Sequence, residues 1–180
     1  MELVLVERRF NEPVKLEDVR KQKRENSWCL DTYRVRFLKT LLSRDRRRML
    51  CLFEAPDTES VRLAEEKSRV PYDRVWACSQ MKGESSIFDA SASEYVVVER
   101  AFPTPVTSEF VSNALQRAGW CLDLHRATYV ESYLGGDGMK MVCVFRAPDA
   151  EAVRMANEQG QVPYTDVWTA TIHEPGGNPL

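Results

Sequence analysis

The chain lacks the features that mark membrane and secreted proteins. The longest aliphatic runs in its 180 residues are residues 3–6 and 96–98, far short of the roughly 18 apolar residues that a membrane helix needs. Its first residues also lack the long apolar segment of a signal peptide. We therefore expect a cytoplasmic protein without a membrane partner. The five cysteines are odd in number and include no CxxC pair, which excludes a disulfide scaffold, and we expect them to pack as small apolar residues.

Several catalytic and nucleic-acid-binding patterns are also missing. The sequence has no Walker motif, no phosphate-binding glycine loop at a helix start and no Ser-His-Asp pattern, and it contains only two histidines. The net charge of −2 gives no overall attraction to nucleic acid. The central strands lack the aromatic motif of an RNA-binding domain. We expect no nucleic-acid partner.

What the chain does contain is an internal duplication. When residues 6–76 are aligned with residues 98–168, a shift of 92 positions, no gap is needed and 31 of the 71 pairs are identical. The matched blocks include VER, WCLD, APD, and VPY followed by VW. Because no insertion separates the copies, each turn has kept its length and both halves must share one fold.

Each copy shows the same order of predicted elements. An aliphatic, β-branched segment predicts a strand, and in the first copy a helix follows from about Leu16 to Leu30. An alternating stretch and an apolar run then predict a β-hairpin. Asp57 and Asp149 stand where an N-cap begins the second helix, and a short strand closes each unit. The order is β-α-β-β-α-β.

This order predicts an α+β fold of two tandem ferredoxin-like βαββαβ units. In such a unit both helices cover one face of a four-stranded antiparallel sheet, so the other face needs a partner. We expect the two sheets to pack face to face as an intrachain pseudo-dimer of the dimeric α+β barrel type. The predicted boundaries are 1–81 and 94–174 for the repeats, 82–93 for a flexible linker and 175–180 for a flexible tail.

Strand parity predicts a polar sheet face directed away from the helices. Glu7 and Glu99, present in both copies, are expected to share it with Trp76 and Trp168. On the second strand of each copy the positions predicted on this face are Val35, Phe37, Lys39, Leu41 and Ala127, Tyr129, Glu131, Tyr133. Such a face is typical of a cavity lining. Alternatively, the two glutamates pair with nearby arginines at solvated strand ends.

These blocks carry a family resemblance. The segments VERxF, FEAPDTESVR or FRAPDAEAVR, and VPYxxVW are similar to those of the family called domain of unknown function 4242. Its members are small bacterial proteins, and the best described is a nickel-binding, nickel-responsive ferredoxin-like protein. The family commonly has a histidine where this chain has His125, whereas the first copy has Tyr33. The resemblance therefore implies a divalent transition metal, nickel above all, and at most one such site per chain.

The first functional hypothesis is a metal-binding or small-ligand-binding accessory protein without catalysis. His125 would bind nickel or another divalent ion, with Glu99, Glu131 and His173 as further candidate ligands, since imidazole and carboxylate groups suit such metals. From spacing alone, the pattern favours an exposed turn histidine without function over a metal ligand at His125.

Two other hypotheses stay open. One is a cofactor-independent isomerase, cyclase or oxygenase that uses a barrel cavity, with His125, Tyr129, Tyr133 or Glu131 as general acid or base. The other is a structural or protein-interaction module, which predicts neither a pocket nor a ligand.

The two copies differ in charge. Residues 1–81 contain 18 Lys or Arg and 14 Asp or Glu, a net charge of +4, whereas residues 82–180 contain 7 and 13, a net charge of −6. Opposite charge favours pairing between the halves over pairing between identical copies. The second half is therefore the predicted place for a cation, and further homodimerisation of the pseudo-dimer stays open.

Overall fold

The structure is a computed structural model that describes residues 1–25, 27–83 and 94–175. Most of the predicted linker at 82–93 and of the predicted tail at 175–180 lies outside these ranges. The first repeat contains β1 (Glu2–Arg9), α1 (Leu16–Glu25), α2 (Ser27–Thr32), β2 (Arg36–Ser43), β3 (Arg48–Ala55), α3 (Thr58–Lys67) and β4 (Arg74–Lys82). The second contains β5 (Glu94–Ala101), α4 (Ser108–Leu124), β6 (Thr128–Gly135), β7 (Lys140–Ala147), α5 (Ala150–Gln159) and β8 (Asp166–His173).

The strands of each repeat pair in the same order. β1 pairs with β3 and β4, and β2 pairs with β3. In the second repeat β5 pairs with β7 and β8, and β6 pairs with β7. All six pairings are antiparallel, as in a ferredoxin-like unit. The predicted α+β class and the antiparallel sheets are confirmed.

The chain forms two compact units, and their boundaries fall inside strands. One unit is Met1–Cys78 together with the chain from Thr171 onward, and the other is Ser79–Ala170. Gln80 and Met81, at the end of β4, therefore belong to the second unit. His173, at the end of β8, belongs to the first.

The core of each repeat lies between its helices and one face of its sheet. In the first repeat Val4 and Val6 of β1 pack with Cys51 and Phe53 of β3 and with Val61 of α3. In the second the corresponding cluster is Val96, Val98, Cys143, Phe145 and Val153. The members of these two clusters alternate along each strand, as expected for the sheet face that the helices cover. Leu5, Leu52, Val97 and Val144, on the opposite face, are buried as well.

Aspartates begin the second helix of each repeat, as predicted. Asp57 accepts a hydrogen bond from the backbone N–H of Ser60 at 2.7 Å, and Asp149 accepts one from Ala152 at 2.8 Å. Bonds from the Ser60 backbone and hydroxyl lower the pKa of Asp57. Both N-cap predictions are confirmed.

The predicted first helix of the first repeat, from about Leu16 to Leu30, corresponds to α1 and α2. These lie on either side of residue 26, which is outside the described ranges. The second repeat has one continuous helix, α4. None of the helices in the described ranges is long and apolar enough to cross a lipid bilayer.

Left-handed backbone conformations recur at equivalent turn positions. Arg34, Arg46 and Arg69 have φ angles of 53°, 58° and 55° in the first repeat. In the second, Arg126, Gly138 and Gln161 have φ angles of 54°, 67° and 53°. Each pair is separated by the 92-residue shift of the sequence alignment, so the equal turn lengths are confirmed in the backbone.

Replacing Gly138 with alanine should destabilise the second repeat. Its φ angle is unfavourable for other residues, and an added Cβ would lie 2.6 Å from the carbonyl oxygen of Val106. We expect Gly138→Ala to lower the free energy of unfolding by about 1 to 2 kcal/mol, measured by urea denaturation. The control is Gly119→Ala in α4, where an added Cβ meets nothing within 4 Å and alanine favours the helix. Equal stability of the wild type and Gly138→Ala would contradict this account.

Candidate functional site

A β-bulge changes the parity of the second strand in each repeat. The pairing shifts between Tyr129 and Glu131 in β6, so that Tyr129 lies opposite Phe145 and Glu131 lies opposite Val144. Tyr129 therefore packs on the helix face, in edge contact with Phe145, and its predicted placement on the other face is wrong. A bulge between Phe37 and Lys39 has the same effect on Phe37. Val35 and Ala127, also predicted on the other face, lie in the helix-side cores as well.

The Tyr129 hydroxyl is held inside the second unit. It donates to the backbone oxygen of Met81 at 3.1 Å and is hydrogen-bonded to the Ser132 hydroxyl at 2.8 Å. Burial raises the pKa of Tyr129 to about 12. The phenol therefore stays protonated at neutral pH and cannot act there as a base.

Glutamate and tryptophan pair in the same way in both repeats. The indole N–H of Trp76 donates to Glu7 at 2.6 Å, and that of Trp168 donates to Glu99 at 2.8 Å. The prediction that these side chains point to the same face is confirmed. The carboxylates of Glu7 and Glu99 thus each accept a hydrogen bond from a tryptophan of the same sheet.

The second unit also contains a buried polar cluster. Glu131 is 5% exposed and Tyr133 is 1% exposed. The Gln80 side-chain N–H₂ donates to Glu131 at 2.8 Å and to the Tyr133 hydroxyl at 3.3 Å. Burial of a carboxylate is uncommon unless it is hydrogen-bonded, and Gln80 provides such a bond.

The two histidines lie in different units. His125 caps the C-terminal end of α4, and its Nε2 is 2.9 Å from the side-chain oxygen of Gln159. The Nε2 of His173 is 2.9 Å from the hydroxyl of Thr171. Each imidazole thus has an uncharged hydrogen-bond partner.

Within the second unit the structure does not bring Glu99, Glu131 and His125 together, and His173 belongs to the first unit. Glu99 and Glu131 lie opposite Val142 and Val144 of β7, the strand between them, so their backbones are about 12 Å apart. They share the sheet face away from the helices, whereas His125 ends a helix on the other side. Within residues 1–25, 27–83 and 94–175 there is no group of three or more His, Cys, Asp or Glu placed to hold a metal ion.

The cysteines are packing residues. Cys29, Cys51, Cys121 and Cys143 are buried free thiols. Cys78 is partly exposed, but burial raises its pKa to about 12. A thiol with so high a pKa is a poor nucleophile at neutral pH.

A pocket of about 640 Å³ lies between the helices and the sheet of the first repeat. We call it the first pocket. Its exposed polar members are Glu12, Lys15, Asp18 and Gln22. Its apolar lining comprises Phe10, Pro13, Val14, Val19, Leu30, Phe37, Met49, Cys51, Phe53, Val70 and Pro71.

Arg8 and Glu65 form a buried ion pair in the wall of the first pocket. Arg8 Nη2 lies 2.6 Å from Glu65 Oε2, and the two side chains are each 6% exposed. Arg8 Nε donates to the backbone oxygen of Pro71 at 3.1 Å. Arg8 Nη1 is buried and has no hydrogen-bond partner in the part of the chain that the structure describes. The guanidinium also lies against the Cys51 thiol, but sulfur is a weak acceptor, so Nη1 has no strong acceptor among the described residues.

The Arg8 guanidinium remains charged despite its burial. Burial by itself lowers the pKa of Arg8, but attraction to Cys51 and Glu65 outweighs burial and raises the pKa above its ordinary value. Sequence reasoning missed this pair. The signal was available, because Arg8 has the parity of Val4 and Val6 and thus faces the helices, where a charge needs a partner.

The second repeat has a smaller equivalent, of about 370 Å³, with Arg100 in its wall. Here Asn157 stands where the first repeat has Glu65. Arg100 Nη2 donates to Asn157 at 2.6 Å, and Nη1 donates to the backbone oxygen of Pro163 at 2.5 Å. Both terminal nitrogens of Arg100 thus have partners. The two equivalent arginines therefore differ in their hydrogen bonds. Both terminal nitrogens of Arg100 have partners, whereas Nη1 of Arg8 has none in hydrogen-bond geometry among the described residues.

The family model described as "Nickel responsive protein SCO4226-like" matches residues 5–77 and again residues 95–169. A search of curated proteins found no match. Among solved structures, an anthrone oxidase-like protein has 11% identity and a TM-score of 0.47, with 98% of this chain and 94% of that chain covered. A heme-binding protein from Thermus thermophilus has 10% identity and a TM-score of 0.47, with 95% and 90% covered. Likeness at these levels carries no conclusion about chemistry.

Breaking the buried ion pair on one side should destabilise the chain more than removing it entirely. Glu65→Leu leaves the Arg8 charge buried without its carboxylate, so we expect a loss of about 3 to 5 kcal/mol in the free energy of unfolding. The double variant Arg8→Met with Glu65→Leu removes both charges at similar volume and should lose less. Urea denaturation measures both, and an equal or larger loss in the double variant would contradict the ion pair.

Proposed function

The chain belongs to the SCO4226-like family of nickel-responsive proteins, whose model matches both of its repeats, and we propose that it is an accessory protein that binds a small apolar molecule in the first pocket. The observation that carries the proposal is the size and lining of this pocket. Its volume of about 640 Å³ lies within the range of roughly 300 to 1,000 Å³ typical of small-molecule sites.

The composition of the lining supports an apolar ligand. Phe37, Met49 and Phe53 of the sheet and Val19 and Leu30 of the helices face the same space. Apolar surface in contact with water is unfavourable, so a ligand that covers it gains free energy. A structural module without a ligand predicts no such pocket, and the pocket therefore favours ligand binding over that hypothesis.

Nickel binding remains a prediction from the family. The three candidates in the second unit do not form a nickel site, because Glu99 and Glu131 lie on the sheet face away from the helices and His125 ends α4. His173 belongs to the first unit. His125 with the Gln159 amide supplies one imidazole and one weak oxygen ligand, whereas nickel prefers several nitrogen or oxygen ligands.

A catalytic role is a second candidate, which the buried cluster of Glu131, Gln80 and Tyr133 favours. A buried carboxylate beside a phenol has the composition of an acid–base pair. Tyr129 is excluded from such chemistry as a base by its raised pKa of about 12. The face-to-face packing of the two sheets as an α+β barrel, and homodimerisation of the pseudo-dimer, stay predictions.

The nickel hypothesis predicts that untagged protein binds Ni²⁺ in calorimetric titration and that His125→Ala removes this binding. An untagged chain is needed because a histidine tag itself binds nickel. His173→Ala is the matched control for loss of the other imidazole. Titration curves that are identical for the wild type and His125→Ala would exclude His125 as a ligand.

Filling the first pocket should block binding of a neutral apolar dye. We expect N-phenyl-1-naphthylamine to bind the wild type with increased fluorescence. Val14→Trp places an indole in the space lined by Val14 and should weaken this binding by about tenfold or more, equivalent to 1.4 kcal/mol.

The matched control for the dye experiment lies in the second repeat. Val106 corresponds to Val14 and lines the smaller pocket, so Val106→Trp should leave binding in the first pocket unchanged. Circular dichroism verifies that both variants fold. Dye affinity that is insensitive to Val14→Trp, or equally sensitive to both substitutions, would overturn the assignment of the site to the first pocket.

A further inference from the structure

Resting on the proposed function, we infer that the first pocket takes an apolar molecule that carries one neutral acceptor oxygen, such as an aryl ketone or quinone, and that this oxygen accepts a hydrogen bond from Arg8 Nη1. The hydrogen bonds that the protein leaves unmade at Arg8 indicate this class of ligand.

A count of hydrogen bonds identifies the donor. The Arg8 side chain is 6% exposed and lies in the pocket wall. Its Nε and Nη2 are used by Pro71 and Glu65, and the guanidinium also lies against the Cys51 thiol, which is only a weak acceptor. The buried Nη1 has no partner in hydrogen-bond geometry among the described residues. A buried donor without an acceptor is unfavourable, so a ligand that supplies an acceptor gains from satisfying it.

The charges around the pocket favour a neutral acceptor over a carboxylate. Glu65 already balances the charge of Arg8 at 2.6 Å. The lining includes two positive side chains, Arg8 and Lys15, and three negative ones, Glu12, Asp18 and Glu65. A carboxylate would lose its hydration and gain no net positive charge in return, whereas a carbonyl oxygen needs only the spare N–H.

In the second repeat, the equivalent arginine has hydrogen-bond partners for both of its terminal nitrogens. Arg100 Nη1 donates to Pro163 and Nη2 donates to Asn157, so both terminal nitrogens are used. In the first repeat, Pro71 and Glu65 stand at the positions of Pro163 and Asn157. Pro71 accepts a hydrogen bond from Arg8 Nε, and Glu65 pairs with Arg8 Nη2. The spare donor is therefore a property of the first repeat, and the second provides the control.

Three naphthalene probes of similar shape test the class of ligand. They are 2-acetylnaphthalene with a neutral carbonyl, 2-isopropylnaphthalene with no acceptor, and 2-naphthoate with a carboxylate. Their affinities are measured on the full chain by displacement of N-phenyl-1-naphthylamine. The test variant is Arg8→Met with Glu65→Leu, and the control variant is Arg100→Met with Asn157→Leu in the second repeat.

We expect the ratio of ketone to hydrocarbon affinity to be about tenfold higher in the wild type than in the test variant. The control variant should keep the wild-type ratio, and 2-naphthoate should bind the wild type more weakly than the ketone. If the test variant fails to fold, nitrogen-15 NMR of the Arg8 guanidinium replaces it. The ketone should then shift that resonance and the hydrocarbon should not.

The outcomes separate the two proposals. If both neutral probes bind, but with the same ratio in the wild type and the test variant, the acceptor inference fails and the apolar pocket stands. In the NMR experiment, the corresponding outcome is an Arg8 guanidinium resonance that shifts equally with both neutral probes. If the dye binds the first pocket but neither neutral probe displaces it, the acceptor inference alone fails. If the dye does not bind, or binds independently of Val14→Trp, the proposed function fails as well. Tightest binding of 2-naphthoate would overturn the choice of a neutral acceptor.

Discussion

The burial of one guanidinium is the constraint on which the first repeat depends. Arg8 follows Val4 and Val6 on the face of β1 that the helices cover, so its charge must be balanced inside the core. Glu65 on α3 provides the balance, and this ties the helix to the sheet. Because the protein leaves Nη1 without a partner in hydrogen-bond geometry among the described residues, the hydrogen bond that we infer to a ligand depends on the same buried charge.

Comparison of the two repeats shows how the partner of the buried arginine differs between them. Both repeats keep the arginine, the strand order and the left-handed turn positions, yet Glu65 in one corresponds to Asn157 in the other. An amide donates as well as accepts, and Asn157 bonds both Arg100 and the backbone oxygen of Val153. One substitution is thus associated with a satisfied arginine beside a smaller pocket, and the two copies are unequal as binding sites.

Much of the fold could be predicted because it depends on local patterns. The gap-free repeat predicted equal turns, and the aspartate N-caps and the glutamate–tryptophan faces followed from position and parity. The β-bulge at Tyr129 could not be predicted, because one extra residue reverses parity without a sequence signal. The first pocket could not be predicted for a different reason. Side-chain chemistry indicates candidate metal ligands, whereas the pocket arises from packing around Arg8.

A crystal structure with a brominated aryl ketone would locate the ligand, because anomalous scattering identifies the bromine independently of the protein. We expect the bromine to lie in the first pocket and the ketone oxygen to be about 3 Å from Arg8 Nη1. A probe bound elsewhere, or bound in the first pocket with its oxygen turned away from Arg8, would contradict this expectation.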